Sequence, residues 1–226
     1  MKPFVTELLA GNFDHAAGVR DRFDELQAGQ LPNAVTVCCS DSRVLQDAMW
    51  DNTTPGDLFT CGNIGNRVVQ RTAEGTVVSG DVLYPLVHTG TDIAVVVGHT
   101  GCGAVTAAYD DLTGGLDEPD GIEGCLRLLE PAVESGLDRL PDDLSRAATI
   151  NRLVEYNVDR QIDHLLDSDD VPDDLTAVGV VYDFQEQYDG DRGEIHVINV
   201  DGETDVETLR AAHPEIDSRI ERLWEY

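Results

Sequence analysis

Apolar residues along this chain fall into two kinds of run. Short β-branched or apolar stretches at Ala34 to Cys38, Asp57 to Cys61, Ile93 to Val97, Thr176 to Tyr182 and Glu194 to Val200 are bounded by Gly, Pro, Asn or Asp and predict strands. Between them lie segments with helical spacing. Phe13, Ala16, Ala17, Val19, Phe23 and Leu26 predict an amphipathic helix over residues 12 to 27, capped near Asn12. Further helices are expected after a Ser42-Arg43 loop to about Trp50, from about Thr72 to His88 with Pro85 awkwardly inside, from Gly103 to about Asp111, over Ile122 to Val133, and over Leu144 to Leu166. Glu203 to Ala212 and Pro214 to Trp224 predict terminal helices.

Strands alternating with helices predict an α/β fold with a mainly parallel central sheet of about four strands, flanked by helices. The polar loop from Asp183 to Gly193 suits a hairpin that adds an edge strand. With no repeat, low-complexity tract or linker to divide it, the chain reads as a single domain over residues 1–226, with a helical arm about 1–30 and C-terminal helices about 203–226.

Two predicted strands end in chemistry. Cys38-Cys39-Ser40-Asp41-Ser42-Arg43 closes the first, and Gly98-His99-Thr100-Gly101-Cys102-Gly103 closes the third. In parallel sheets functional groups gather beyond the strands' carboxyl ends, so neighbouring ends would bring these clusters together. Cys39, His99 and Cys102 would then offer two thiolates and an imidazole to one tetrahedral Zn²⁺, leaving a fourth position for water or Asp41. Successive strand side chains face opposite ways, so only one of Cys38 and Cys39 serves the site, and the step to Asp41 favours Cys39. Cys38, Cys61 and Cys125 read as small buried hydrophobes.

Charge changes the picture outside the site. The net charge is −29, from 44 acidic and 15 basic residues, the only lysine being Lys2. This argues against nucleic acid or an anionic membrane as partner. The acid is spread over Asp117–Asp120, Asp138–Asp143, Asp167–Asp174 and the C-terminal fifth, as a solvated surface suited to concentrated salt, and a halophilic source is expected. No apolar run reaches the roughly 20 residues of a membrane span, and no signal-like segment opens the chain, so a cytoplasmic protein is expected. Five cysteines, an odd number, suggest reduced thiols rather than a disulfide framework.

At this point the chain resembles the β-class carbonic anhydrases. The residues that carry the resemblance are Cys39-Ser40-Asp41-Ser42-Arg43-Val44, Pro55-Gly56-Asp57-Leu58-Phe59, Gly98 to Val105, Gly29-Gln30-x-Pro32 and Gly179-x-x-Tyr182-Asp183, in family order over about residues 12 to 200. The resemblance implies a zinc lyase with one Zn²⁺ per chain on Cys39, His99 and Cys102, its open position supplying the hydroxide that converts carbon dioxide to bicarbonate. Asp41, which as a carboxylate can only accept, would take the hydroxide's proton in a hydrogen bond. Arg43 would pair bidentately with Asp41, keeping it ionised and away from the metal. By the same resemblance Gln30 donates to a substrate oxygen, and Phe59, Ile64 and Tyr84 form an apolar wall, although plain core packing explains these three as well. A homodimer or larger homo-oligomer is implied, with the N-terminal helix on a neighbour. His15, His88, His164, His196 and His213 match no ligand and read as structural or surface residues.

Two positions depart from the family pattern. Gly62 stands where many members carry an Arg that helps hold non-catalytic bicarbonate in regulated enzymes, and Leu83 stands where Glu is common. A hydrolase of carbonyl sulfide or carbon disulfide would use the same motifs. A zinc-stabilised binding protein with Asp41 as fourth ligand, or a redox protein using Cys38 and Cys39, fits the retained Arg43, Gln30 and His99 less well.

Overall fold

The computed structural model describes residues 2–226, the Glu25 side chain excepted. Its strands are β1 (Ala34–Cys39), β2 (Leu58–Asn63), β3 (Val69–Thr72), β4 (Gly75–Val78), β5 (Ile93–His99), β6 (Thr176–Asp183) and β7 (Glu194–Val200). The helices are α1 (Pro3–Val19), α2 (Gly80–His88), α3 (Gly103–Gly114), α4 (Asp120–Leu126), α5 (Glu130–Leu137), α6 (Arg146–Leu166) and α7 (Val206–Ala212). The central sheet has the order β2-β1-β5-β6-β7. Its first four strands are parallel, and β7 returns antiparallel to β6 as the edge strand. All six residues of β1 are buried, as a central parallel strand requires.

One face of the sheet carries the main core. Val35, Val37, Ala94, Val96, Ala177, Val181 and Ile198 meet Leu153, Val154, Val158 and Ile162 of α6 there, with Val105 and Ala108 of α3 and Leu129 and Val133 beside them. Helix α6 lies close because Gly98 has no side chain; a Cβ there would meet Val158 Cγ2 at 2.7 Å and Val154 Cγ1 at 2.9 Å. The opposite face gathers Cys38, Val97 and Val180, with Val95, Val178, Tyr182, Ile195 and Val197 only half-buried under Met49 and Trp50.

Several expected elements differ. The N-terminal helix begins at Pro3, which needs no N–H in the first turn, not near Asn12, and after Val19 it tightens to a 3₁₀ segment over Arg20–Leu26. Only Val19 of α1 is buried, so its apolar stripe is uncovered by its own chain. Residues 72–79 are not helical. The alternating, β-branched Val69 to Val78 stretch makes the β3–β4 hairpin, turned at Gly75 with φ +132, a conformation open to glycine and foreign to helices. Helix α2 starts only at Gly80, capped by Ser79 Oγ on Asp81 N. Pro85 is tolerated there; it has no N–H to offer the Asp81 carbonyl, which instead accepts from Cys61 Sγ at 3.4 Å.

The segment after Arg43 is mostly turn, with a single 3₁₀ turn at Ala48–Trp50. The helix expected over 122–133 is two helices, because Pro131 restarts the chain as α5. Pro214 opens a 3₁₀ segment, Pro214–Arg219, and the residues beyond run as an extended tail past β7 and α6. No helix of the described residues is long and apolar enough to cross a membrane.

Candidate metal centre

Strands β1 and β5 pair directly, with Cys38 opposite Val97, so the segments following their carboxyl ends lie side by side. Cys39 is the last residue of β1 and His99 the last of β5, while Cys102 stands at the N-terminus of α3. Their Sγ, imidazole N and Sγ atoms lie within 4.8 Å of one another, and all three residues are buried. Cys38 points to the opposite face among Val97 and Val180, as alternation along the strand demands.

The group fits zinc on three observations. The two sulfurs are 4.0 Å apart, close to the roughly 3.8 Å that tetrahedral geometry with Zn–S bonds of about 2.3 Å produces. His99 Nδ1 lies 3.0 Å from the Thr100 carbonyl, which as an acceptor places the proton there. The lone pair then sits on Nε2, a buried atom with no hydrogen-bond partner. These side chains are thus positioned to bind one zinc ion.

The two thiols contact each other directly. Cys102 Sγ donates to Cys39, which holds the Cys39 thiol down at about 4 with further help from the Gly65 N–H; the same bond, with burial, pushes the Cys102 thiol well up. The leading N–H groups of α3, at Ala104 and Val105, offset part of that cost by favouring the Cys102 anion.

Asp41 and Arg43 follow β1 in a tight turn. Arg43 Nε donates to Asp41 Oδ1 at 2.9 Å and Nη2 to Oδ2 at 2.6 Å, a bidentate pair reinforced by the Arg43 N–H on Oδ1 at 2.9 Å. The Arg43 hydrogen bond holds the Asp41 carboxyl well below the usual carboxylate range, so it is ionised throughout the physiological range. Its Oδ2 lies 3.8 Å from His99 Nε2.

The remaining sequence-derived residues are placed less uniformly. Ile64 follows the end of β2 at the strand-end cluster and is partly exposed. Phe59 pairs in register with Val35, four residues before the Cys39–Asn63 pair, or about 13 Å down the strand. Tyr84 is half-exposed, with its ring centroid 6.2 Å from that of Phe59. Gln30 is exposed, and no hydrogen bond among the described residues joins it to Asp41, His99 or the thiols. Gly62 lies tight beneath the Gln46 and Ser40 side chains, where a Cβ would meet Gln46 Nε2 at 2.8 Å. Cys61 and Cys38 are buried as expected. Cys125 is only half-buried, because its sulfur lies at the helix surface and accepts from Arg67 Nη2 at 3.4 Å. His196 is the buried one of the five unassigned histidines, stacked on Tyr188.

What sequence reasoning missed is the polar side of α6. Asn151 accepts from Gly101 N at 2.8 Å, Asn157 donates to Gly65 O at 3.3 Å, and Gln161 accepts from Val68 N at 2.8 Å, pinning the loops on both sides of the thiols. Gly65 has φ +80, and a side chain there would strike Leu129. Asp183 was also missed as a support: its oxygens accept from Thr100 Oγ1, Gln185 N, Gln187 N and Tyr188 N. The available signal was the four-residue spacing of Asn151, Glu155 and Asp159 beside an apolar stripe, which puts polar groups at the edge of a buried face.

A family model described as carbonic anhydrase matches residues 34–190, which includes all three ligands and the Asp41–Arg43 pair. This chain belongs to the carbonic anhydrase family. Its fold is that of the β-carbonic anhydrases: CafA of Aspergillus fumigatus superposes with TM-score 0.71 at 27% identity, covering 96% of this chain and 99% of that one. A tetrameric β-carbonic anhydrase of Sordaria macrospora shares the fold at TM-score 0.70 and 22% identity, over 88% and 98% of the two chains. The carbonic anhydrase of Pseudomonas aeruginosa is 33% identical over 143 residues, and the match spans 63% of each protein.

Proposed function

We propose that the chain catalyses the reversible hydration of carbon dioxide to bicarbonate and a proton. The observation that carries this is the Asp41 carboxylate, locked by Arg43 and held with Oδ2 3.8 Å from the ligand nitrogen of His99. Zinc on Cys39, His99 and Cys102 would supply Lewis acidity, making hydroxide available from water near neutral pH. The protein's own share is geometric. An ionised carboxylate only accepts, so Asp41 holds a proton at Oδ2 and directs the lone pairs of whatever oxygen carries it away from itself. Arg43 satisfies both Asp41 oxygens, which restrains the carboxylate from turning onto the thiolate side.

Replacing Asp41 by Asn should cut kcat/KM for hydration by roughly a hundredfold or more, and Arg43→Ala by a similar amount. Stopped-flow hydration, run beside sulfide release from carbonyl sulfide, is the test. A D41N enzyme with wild-type hydration, or a wild type that hydrolyses only carbonyl sulfide, overturns the reading.

Gln30, Phe59 and Tyr84 we assign to a substrate pocket shared between subunits. The strand register keeps Phe59 about 13 Å from its own Cys39, which supports a role at a neighbour's site. Helix α1 supports the same assembly: Phe4, Leu8 and Phe13 are 66%, 59% and 79% exposed, and the sheet face around Val95, Val178 and Val197 is thinly covered. A homo-oligomer with α1 on the neighbour covers both. Deleting residues 3–19 should give monomers in sedimentation velocity at molar salt; an unchanged oligomer would rule the arrangement out.

The surface charge of −29 supports a salt-adapted protein, and the five free cysteines support a reducing, cytoplasmic setting. We read the chain as one domain bearing an N-terminal arm.

A further inference from the structure

Phe184, immediately after β6, is a residue that neither the metal ligands nor the Asp41–Arg43 pair accounts for. Its ring stacks on the His99 imidazole, with centroids 5.7 Å apart and planes 25° apart. The Arg43 guanidinium carbon lies 4.5 Å from the centroid of the same ring. One aromatic group therefore touches both a metal ligand and the cation that sets Asp41, and the three residues come from the last position of β5 and from just beyond the ends of β1 and β6.

The ring is itself held. Phe184 N donates to Thr100 Oγ1 at 3.2 Å, and that hydroxyl donates to Asp183 Oδ1 at 3.0 Å. Asp183 in turn receives the backbone N–H groups of Gln185, Gln187 and Tyr188, which closes the loop carrying Phe184 into a compact turn. On the other side, Thr100 N donates to the Tyr182 carbonyl at 3.1 Å, which ties the segment carrying His99 to the one carrying Phe184.

Arg43 needs such support. Its side chain is 50% exposed while that of Asp41 is 15% exposed, and an arginine so open to water retains several rotamers unless its planar head is fixed. Three contacts fix it: the bidentate pair with Asp41, a hydrogen bond from Nη2 to the Gly101 carbonyl at 3.3 Å, and the face of Phe184. Only the aromatic face restrains tilt out of the guanidinium plane, since both hydrogen-bonding partners are met through its N–H groups. We propose that Phe184 is a positioning residue of the hydration site, whose ring sets the plane of Arg43 and so the angle at which Asp41 faces the metal ligands.

The proposal rests on the hydration reading above, and its test separates the two. In the zinc-loaded enzyme Phe184→Leu keeps an apolar group but loses the π face, and kcat/KM should fall roughly tenfold with zinc still at one per chain. Phe184→Trp, which keeps the face, should recover activity to within about threefold of wild type. If Phe184 acts through Arg43, then Phe184→Leu placed on Arg43→Ala should lower activity by less than about twofold further. The readout independent of turnover is the Arg43 Nε signal in ¹⁵N NMR, which should show faster guanidinium rotation in Phe184→Leu and not in Phe184→Trp. Additive losses in the double variant, an Arg43 signal indifferent to the ring, or loss of zinc in Phe184→Leu would each show that the ring only packs against His99 and would overturn the proposal. A wild type without hydration activity would remove the proposed function, while the Arg43 dynamics would still decide the contact.

Discussion

Cys39→Ser should lower zinc affinity by more than roughly a hundredfold, beyond what loss of an outer-shell partner costs, and take activity with it, while Cys38→Ser keeps one zinc per chain. The two thiols are neighbours in sequence and identical in chemistry, so the contrast is produced by the sheet. Cys39 faces His99 and Cys102, and its thiol is held down at about 4, chiefly by the Cys102 hydrogen bond. Cys38 faces Val97 and Val180 on the opposite side of the sheet, away from His99 and Cys102, and burial there pushes its thiol up to about 12. Serine at 38 buries a hydroxyl in an apolar setting and should cost about 1–3 kcal/mol of stability, visible as a lowered denaturation midpoint with metal content intact. Metal analysis by inductively coupled plasma on both proteins decides the matter. Retention of zinc by Cys39→Ser, with loss in Cys38→Ser, would mean that the strand faces the other way.

The second large effect lies far from the metal. Arg222→Ala should destabilise the fold by about 3–5 kcal/mol, because it leaves a buried carboxylate without its counter-charge. Arg222 and Asp159 side chains are 1% and 2% exposed and meet at 2.7 Å. Asp159 also accepts from Asn199 Nδ2 at 2.8 Å and from the Tyr226 hydroxyl at 2.5 Å, and Arg222 Nη1 donates to the Ile198 carbonyl at 2.6 Å. One helical turn away, Glu155 accepts from Tyr188 Oη and from Leu223 N, both at 2.7 Å, while its Oε2 is buried without a partner. This network clasps the C-terminal tail to the middle of α6.

The clasp also carries a pH dependence. Burial raises the Glu155 carboxyl from its ordinary 4.5 to about 7, with Arg222 opposing. The folded state therefore binds a proton that the unfolded chain has released, and its contribution to stability is complete below about 4.5 and is lost as pH rises through about 7. Glu155→Gln removes the titration, so the fall in stability between pH 5 and 8 should flatten by about 1–3 kcal/mol, measured by denaturant unfolding at fixed ionic strength. Parallel slopes in the wild type and Glu155→Gln would show that other groups set the dependence. Without Arg222, Glu155 should hold its proton to still higher pH.

The strands and the ligand set were legible because their signals are local. A central parallel strand must be apolar on both faces, which marks Ala34 to Cys38 and Ile93 to Val97 in a short window. Ligands placed one step past such runs need only neighbouring strand ends to meet, and the β1–β5 pairing supplies that. The Asp41–Arg43 pair is two residues apart and closes within a single turn, so it too is written locally.

Where expectation and structure part, two conformations had similar local preference and long-range contact chose between them. Residues 72–78 offered both a helical reading and a β-branched alternation, and Gly75 with its positive φ lets the hairpin form. The helix over Leu144 to Leu166 is legible from its spacing, but nothing local shows that Asn151, Glu155, Asp159 and Gln161 are buried, because loops and a tail from distant sequence bring each a partner. By itself the sequence determined the strand cores, the choice of thiolate and imidazole ligands and the carboxylate–guanidinium pair, since apolar continuity and short spacing act within a few residues. Only the tertiary structure decided that β1 and β5 pair so that the two ligand clusters meet, that Phe184 lies between His99 and Arg43, and that Arg222 closes on Asp159, because contacts across 63 to 141 residues depend on how the sheet and α6 pack and leave no periodicity in the chain.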